Sequence, residues 1–253
     1  MTAPAVVLCI SGHDPCGGAG IQADIEAVAA AGAHAVTVIT AHTVQDTSDV
    51  RRVAAVDATL LDEQLRVLAA DVPIAAVKIG LLGSAAQVPV LLQFLARLGR
   101  PVVLDPVLRA GGGAMLASPG LAAGLLAATT VATPNADEAR GLAPAAADLD
   151  TAGAALVAAG ARHVLITGGD EPGDAVVNRW YRAGHGPRRY VWPRLAGGFH
   201  GAGCTLAAAI AARLAQGMEV AAALEDAQAF TQRALAAAVA IGGGRRIPRR
   251  IHQ

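Results

Sequence analysis

The glycine-rich stretch Gly198-Phe-His-Gly-Ala-Gly-Cys-Thr-Leu206 is the segment around which this chain is organised. It carries glycines at 198, 201 and 203 and runs directly into an alanine- and leucine-rich segment that continues to about Ala215. Glycine lets another backbone or a ligand approach closely, and the residues that follow are mostly strong helix formers. A glycine loop that opens a helix exposes unpaired N–H groups at the positive end of the helix dipole. The pattern therefore indicates an anion site that would hold a transferring phosphoryl group, although a plain loop-to-helix junction would have the same sequence.

The composition describes a chain with a large aliphatic core and no charge bias. Of 253 residues, 54% are hydrophobic, 16% are charged and 3% are aromatic. The formal net charge is zero, which argues against a nucleic-acid partner or a polybasic membrane surface. The run Arg245-Arg-Ile-Pro-Arg-Arg250 is the exception, and we interpret it as a solvated tail, because termini are usually held loosely.

The cysteines and the N-terminus indicate a cytoplasmic protein. Cys9, Cys16 and Cys204 are odd in number and lack CxxC spacing, which is typical of a reducing compartment. The N-terminal residues lack the basic segment of a signal peptide. No apolar run reaches the ~18 residues that a membrane span needs without interruption, so we expect no membrane anchor.

Strand and helix patterns alternate along nearly the whole chain. Short apolar runs predict strands, and amphipathic segments between them predict helices. The predicted strands cover residues 6–10, 35–40 (running on toward 45), 51–56, 74–79, 101–104, 129–132 and 163–167. The predicted helices cover residues 21–31, 60–70, 84–98 (capped by Ser84), 121–127, 134–141, 149–159, 205–215 and 220–239. Such alternation predicts a parallel sheet covered by helices on both faces.

Residues 175–192 break this alternation. Two β-like runs, 175–181 and 188–192, flank the turn-rich Arg182-Ala-Gly-His-Gly-Pro187, which predicts a short antiparallel hairpin at one edge of the sheet. No linker or change in composition divides the chain. We therefore expect residues 1–253 to form a single α/β domain with three layers.

Polar side chains collect where the predicted strands end, which is where ligands bind in a doubly wound sheet. These residues are Asp14, Asp24, Gln45, Lys78, Asp105, Asn135, Glu138, Asp170 and Cys204, and the first of the glycine loops beside them includes Gly12. Carboxylates and amides beside two glycine loops suit a phosphorylated ligand with Mg²⁺, which prefers oxygen ligands. Asn135-Ala-Asp-Glu138 also has the spacing of a helix capping box, and the two roles are compatible. Lys78 is costly to bury, so we expect it to reach solvent or an anion.

Six short motifs occur in an order that is shared with a known family. They are Ser11-Gly-His-Asp-Pro-Cys-Gly-Gly-Ala-Gly-Ile-Gln-Ala-Asp24, Val38-Ile-Thr-Ala-His-Thr-Val-Gln45, Lys78-Ile-Gly-Leu-Leu82, Val103-Leu-Asp-Pro-Val107, Thr133-Pro-Asn-Ala-Asp-Glu-Ala139 and His200-Gly-Ala-Gly-Cys-Thr205. Over about residues 5–240 the chain resembles the hydroxymethylpyrimidine/phosphomethylpyrimidine kinases of thiamine biosynthesis, which belong to the ribokinase-like superfamily. The resemblance implies a three-layer αβα ribokinase-like fold with a mostly parallel sheet. It also implies that ATP with Mg²⁺ phosphorylates 4-amino-5-hydroxymethyl-2-methylpyrimidine and then its monophosphate.

The resemblance also assigns site residues by motif position. The substrate pocket would be lined by Gly12, Asp24, Gln45 and Val107, the ATP side by Asp105, Asn135, Glu138 and Thr167 (with Asp105 and Glu138 as metal ligands), and the anion hole by Gly201, Ala202, Gly203 and Cys204. Gln45 would pair with the aminopyrimidine ring, because an amide offers both a donor and an acceptor.

Cys204 stands where many sugar kinases of the superfamily place an aspartate base. A thiol at a helix N-terminus has a lowered pKa. We therefore hypothesise that Cys204 is partly thiolate and accepts the proton of the substrate hydroxyl. A packing role alone is the alternative, since buried free cysteines are common.

The chain departs from the family pattern after the late strand, where Thr167-Gly-Gly-Asp170 replaces Lys-Gly-Gly-His. Without this lysine, we expect lower turnover, or another cation in its role. Phe199 and Ala202 stand where threonines are frequent. These departures bear more on the second phosphorylation than on the first.

Two alternative functions stay open. A pyridoxal or pyridoxine kinase would share the fold and the chemistry, although Gln45 and Cys204 favour the pyrimidine. A non-catalytic pyrimidine sensor would bind the ligand without releasing ADP. We also expect a homodimer, the commonest assembly, and we regard Ala110-Gly-Gly-Gly-Ala114 and Gly197-Gly198 as candidate lid loops.

Overall fold

One sheet organises the computed structural model, which describes residues 3–109, 113 and 116–251. Its nine strands lie in the order β3-β2-β1-β4-β5-β6-β7-β8-β9. They are β1 (Val6–His13), β2 (His34–Gln45), β3 (Val50–Ala55), β4 (Ile74–Ile79), β5 (Val102–Leu104), β6 (Val131–Ala132), β7 (His163–Ile166), β8 (Ala175–Arg182) and β9 (His185–Pro193). The candidate lid at 110–114 lies outside the described residues, Gly113 excepted.

The helices occupy the intervals that the sequence predicts, with different ends. They are α1 (Gly20–Ala30), α2 (Ala58–Asp71), α3 (Gln87–Leu98), α4 (Pro119–Ala123), α5 (Ala136–Leu142), α6 (Leu149–Ala158), α7 (Ala202–Ala215) and α8 (Val220–Ala236), with a short 3-10 helix at Leu126–Ala128. The single helix predicted over 121–127 is therefore two shorter pieces. No helix in the described ranges is both long and apolar enough to cross a bilayer.

The central strands β2, β1, β4, β5, β6 and β7 are parallel neighbours. The predicted antiparallel hairpin is confirmed, since β8 runs antiparallel to both β7 and β9. At the other edge β3 also runs antiparallel to β2, so the sheet carries a second hairpin. The apolar pattern of β3 predicts a strand without its direction.

Alternate side chains of β1 enter the two cores of the molecule. Leu8 and Ile10 pack in one core with residues of α2, α3 and α6. Val7 and Cys9 pack in the other core with residues of α1, α7 and α8. This period of two, buried on both faces, is what a central parallel strand requires. The three-layer arrangement is confirmed.

Of the two predicted helix caps, one is confirmed and the other is wrong. The capping box forms as predicted, because Asn135 Oδ1 accepts from Glu138 N at 2.8 Å and Glu138 Oε2 accepts from Asn135 N at 2.9 Å. Ser84 does not cap α3, which begins at Gln87. The buried amide of Gln87 accepts from Gly83 N at 2.9 Å and donates to Thr40 O at 2.8 Å instead.

The prediction of a solvated C-terminal tail is wrong. Ile247 and Arg250 are buried. The backbone of this segment pairs with two loops, since Arg246 N donates to Gly198 O at 3.1 Å and Arg245 N donates to Thr47 O at 2.9 Å. The charged run has internal acceptors, and these acceptors hold it against the domain.

Lys78 forms an ion pair in the interior. Its side chain and that of Asp24 are both 0% exposed, and Lys78 Nζ lies 2.8 Å from Asp24 Oδ1 and donates to Oδ2 at 2.9 Å. The expectation that Lys78 reaches an anion is therefore met by a carboxylate of the protein. Although burial opposes it, the nearby Asp24 raises the pKa of Lys78, so the ammonium stays charged.

Replacing Asp24 with Asn removes one charge of this pair and leaves Lys78 uncompensated in the core. We expect Asp24→Asn to lower the free energy of unfolding by about 3–5 kcal/mol, measured by urea denaturation. The matched control is Asp62→Asn, which opens the exposed pair that Arg66 Nε forms with Asp62 Oδ2 at 2.9 Å and should cost less than about 1 kcal/mol. Equal losses in the two variants would contradict a special role for the buried pair.

Candidate active site

A cavity of about 550 Å³ lies at the carboxyl ends of the parallel strands. It brings the end of β2 and the start of α7 together, because Gln45 and Cys204 both line it. Most of the predicted site residues lie on its surface: Gly12, Gln45, Asp105, Val107, Asn135, Glu138, Thr167, Gly201, Ala202, Gly203 and Cys204. Asp24 is the exception. Its fully buried carboxylate is paired with Lys78, so the prediction that it lines the substrate pocket is wrong.

The start of α7 is built for close approach of backbone. Gly201 is its N-cap, with φ +89°, and no side chain caps the helix. A Cβ atom at Gly201 would overlap the carbonyl oxygen of Gly18, so the two glycine loops touch through their backbones. A left-handed φ in this space permits only glycine. The first-turn N–H groups of α7 are therefore left for a ligand.

Asp14 links the two glycine loops through its carboxylate. Its Oδ1 accepts from the Cys16 amide at 2.9 Å, and its Oδ2 accepts from Ala19 N at 2.8 Å and lies 2.8 Å from His200 Nε2. Burial alone would raise the pKa of Asp14, but hydrogen bonds from His200 and Cys16 hold it well below its usual range. The polar atoms of Asp14, Cys16 and His200 lie within 4.8 Å of one another. Because hydrogen bonds already pair them, we interpret the cluster as a structural link.

Burial disfavours the thiolate form of Cys204. Burial raises its pKa to about 12, which nearby Lys78 opposes and Asp105 reinforces. The prediction of a lowered pKa is therefore wrong, because desolvation outweighs the effect of the helix N-terminus. The carboxyl group of Asp105 lies close enough to the thiol for its charge to affect the pKa.

Asp105 and Glu138 form a buried acidic pair beside the start of α7. Burial raises the pKa of Glu138 to about 8, and the charge of Asp105 adds to this effect. Burial also raises the pKa of Asp105. Asp105 Oδ2 is buried without a hydrogen-bond partner among the described residues. Such an unpaired carboxylate oxygen, next to a second carboxylate, fits the oxygen ligands that Mg²⁺ prefers.

The loop after β7 is held by Asp170 and Arg194. Asp170 Oδ2 accepts from Asp137 N at 3.0 Å, so this carboxylate caps the N-terminus of α5. Arg194 Nη1 donates to Gly169 O at 2.9 Å and its Nε donates to Gly173 O at 2.6 Å. Asp170 is thus a structural residue, which the sequence does not indicate. Three arginines line the cavity and carry the positive charge that the lysine of the family pattern would supply. They are Arg109, Arg194 and Arg245.

These features define the class of the protein. A three-layer α/β sheet whose cavity joins a glycine-rich helix start to a pair of buried carboxylates is suited to phosphoryl transfer onto a small molecule. Residues 14–248 match the family model described as phosphomethylpyrimidine kinase. The chain belongs to the phosphomethylpyrimidine kinase family.

Similar proteins agree with this assignment. The hydroxymethylpyrimidine/phosphomethylpyrimidine kinase of Streptomyces coelicolor is 38% identical over 95% of this chain and 92% of its own length. Among solved structures, the ADP complex of Bacillus subtilis pyridoxal kinase has a TM-score of 0.89 at 27% identity and covers 98% of both chains. Phosphomethylpyrimidine kinase from Clostridium difficile has a TM-score of 0.78 at 28% identity, covering 91% of this chain and 99% of its own. The ribokinase-like fold is confirmed by these structures.

The raised pKa of Glu138 predicts how stability depends on pH. The pKa rises from 4.5 to about 8 on folding, so between these values the folded state holds a proton that the unfolded state has lost. Glu138 therefore lowers the free energy of unfolding as pH rises from 5 to 8, by up to about 1.4 kcal/mol per pH unit.

Glu138→Gln removes this ionisation while it retains an amide oxygen that can accept from Asn135 N. Urea denaturation at several pH values should show a smaller decline for the variant than for the wild type. The control is Glu63→Gln on the exposed face of α2, which should leave the slope unchanged. Identical slopes for Glu138→Gln and the wild type would exclude a raised pKa at this site.

Proposed function

We propose that this protein is a kinase that uses ATP to phosphorylate 4-amino-5-hydroxymethyl-2-methylpyrimidine and then its monophosphate, for thiamine diphosphate biosynthesis. The observation that carries the proposal is a cavity lined by both Gln45 and the first turn of α7. A ring held at Gln45 would direct its hydroxymethyl group toward the anion-binding helix start. The names of the similar curated proteins support this substrate.

The substrate end of the cavity has the chemistry that a small heteroaromatic ring needs. Gln45 offers an amide that can donate to a ring nitrogen and accept from an exocyclic amine. Gly12 leaves room against Leu81, because a Cβ atom at Gly12 would lie 2.9 Å from Leu81 Cδ2. Val107 supplies an apolar contact on the cavity wall. These features support binding of the ring at this end.

The phosphoryl end would be formed by α7 and the acidic pair. The amides of Gly201, Ala202 and Gly203 would hold the transferring group, because fixed dipoles stabilise charge that spreads over the equatorial oxygens. Asp105 and Glu138 would hold Mg²⁺, with Asn135 and Thr167 on the ATP side of the cavity. When bound, the metal neutralises charge that develops on the phosphates.

Cys204 would accept the proton of the substrate hydroxyl as a thiolate. Burial raises the pKa of the thiol, but the charge of nearby Lys78 favours the thiolate. The thiol also lies in the first turn of α7, where the helix dipole favours negative charge. These two positive influences support Cys204 as the proton acceptor.

The second reaction has a different acceptor, and this difference gives an internal control. The phosphate of the monophosphate is already ionised near neutral pH, so it needs no base. We expect Cys204→Ala and Asp105→Asn to lower kcat for the alcohol by about 10²-fold or more. Cys204→Ala should lower kcat for the monophosphate far less. Equal losses with both acceptors, or near-normal kcat with the alcohol, would remove Cys204 from the proton transfer.

A pyridoxal kinase is the second candidate, favoured by the high structural similarity to pyridoxal kinases. A coupled assay that follows ADP, with either the pyrimidine alcohol or pyridoxal as acceptor, separates the two functions. We expect the pyrimidine to have the higher kcat/KM. A higher kcat/KM for pyridoxal would reverse the assignment, and tight pyrimidine binding without ADP would indicate a sensor.

Gln45→Ala should lower kcat/KM for the pyrimidine by about 10-fold to 100-fold, because ring hydrogen bonds are worth about 1–3 kcal/mol when buried. The control is Gln64→Ala, on the exposed face of α2, which should leave kcat/KM unchanged. An unchanged value for Gln45→Ala would place ring recognition elsewhere in the cavity.

The proposal includes a cytoplasmic kinase that consists of one domain and acts as a homodimer. Support for the reducing compartment comes from Cys9, Cys16 and Cys204, which are free thiols. Exposed apolar side chains on edge-region strands, Val44 on β2 and Val191 on β9, support association of two copies.

A further inference from the structure

Arg250 is a charged side chain that the fold encloses almost completely. It is 1% exposed and lies in the C-terminal segment, outside the glycine loops and the motifs that follow the strands. Three of its nitrogens donate hydrogen bonds: Nε to Thr205 Oγ1 at 2.8 Å, Nη1 to Glu26 Oε2 at 2.9 Å, and Nη2 to the carbonyl oxygen of Gly18. The three acceptors lie on different segments around the cavity: α7, α1 and the loop between β1 and α1.

The contact with Thr205 leads directly to the N-cap of α7. Thr205 Oγ1 donates to Gly201 O at 2.7 Å, and Thr205 N donates to the same oxygen at 3.0 Å. Arg250 thus orients the hydroxyl of Thr205, and this hydroxyl in turn holds the carbonyl of Gly201. Its Nη2 also binds Gly18, whose carbonyl oxygen lies against Gly201. One guanidinium therefore holds both glycine loops at their point of contact.

Backbone hydrogen bonds of the C-terminal segment restrict the position of the guanidinium. Ile247 and Val239 exchange two backbone hydrogen bonds at 2.8 and 2.9 Å, and Arg249 N donates to Ala234 O at 3.0 Å. His200 N also donates to Arg246 O at 2.9 Å. The segment is therefore anchored to the end of α8 and to the loop that precedes α7.

Burial of this charge is better explained by positioning than by stability. Buried ion pairs are often no more stabilising than apolar residues of the same size. A planar guanidinium instead fixes several acceptors in one geometry. Here the acceptors include a carboxylate on α1, a hydroxyl on α7 and a loop carbonyl.

We propose that Arg250 is a positioning residue for the anion hole: it locks the loops at Gly18 and Gly201 so that the first-turn amides of α7 point at the transferring phosphoryl group. The expected change in kcat rests on the proposed function. The expected loosening of the two loops rests on the hydrogen bonds of Arg250 alone. Small displacements of such amides reduce the rate strongly while substrate binding at a distance is retained.

The experiment compares Arg250→Ala, Arg250→Lys and the neighbouring Arg249→Ala. Arg249 is exposed, so its variant is a control for the loss of one positive charge from the same segment. For each protein we would measure kcat and KM with the pyrimidine alcohol, thermal unfolding, and hydrogen exchange of the amides at 198–205. Assays are run well below the melting temperature, with and without millimolar methylguanidine.

Arg250→Ala should lower kcat by about 10-fold to 100-fold, with KM for the pyrimidine within about 3-fold. Methylguanidine should restore part of kcat in this variant alone, because it can occupy the vacated space and bind the same acceptors. Amides at 198–205 should exchange faster than in the wild type. Arg250→Lys keeps the charge, but its single nitrogen cannot reach all three acceptors. Its kcat should therefore lie between those of Arg250→Ala and the wild type. Arg249→Ala should match the wild type.

Two results would overturn the proposal. One is a folded Arg250→Ala protein with wild-type kcat and wild-type exchange at 198–205. The other is a loss of activity that only follows the unfolded fraction and that methylguanidine does not reverse. Should Arg250→Ala not fold, Arg250→Lys is judged by the same criteria of kcat and exchange. A wild-type protein that releases no ADP would contradict the proposed function, while amide exchange would still decide the role of Arg250.

Discussion

The contact between two backbones, Gly18 and Gly201, is the constraint on which the rest of this structure depends. No side chain fits at Gly201, because a Cβ atom there would overlap the carbonyl oxygen of Gly18. The β1–α1 loop and the start of α7 therefore lie side by side, although more than 180 residues separate them in sequence. Asp14 and His200 add a hydrogen bond across the same junction, 2.8 Å long. A site built from two distant loops needs such direct contact to hold its amides in a fixed direction.

Buried charged groups lie behind this junction and set the electrostatics of the site. Lys78 and Asp24 neutralise each other in the core, while the carboxyl groups of Asp105 and Glu138 have raised pKa values because burial disfavours their ionised forms. Low polarity strengthens every electrostatic interaction in the cavity. A cation that enters would stabilise the ionised form of both carboxyl groups, so ligand binding and proton release are linked at this position.

The sequence predicts what depends on neighbouring residues and misses what depends on distant ones. Strands such as β1 and the capping box of Asn135 follow from local periodicity and spacing, and both are found. The helix position of Cys204 predicts a lowered pKa, whereas burial of the thiol raises it. Arg250 belongs to a terminal charged run, which is usually solvated, and only the folded chain supplies its acceptors. The partnership of Asp14 with His200 leaves no signal in the sequence at all.

Structural similarity and sequence similarity point to different substrates, and the geometry explains why. The fold is closer to Bacillus subtilis pyridoxal kinase, with a TM-score of 0.89, than to Clostridium difficile phosphomethylpyrimidine kinase, with 0.78. Both substrates are six-membered nitrogen heterocycles that carry a hydroxymethyl group, so the sheet and the start of α7 can serve either one. Under the proposed function, discrimination would come from side chains at the end of the cavity where Gln45 lies. Because backbone superposition does not record these side chains, sequence similarity is the better guide to the substrate.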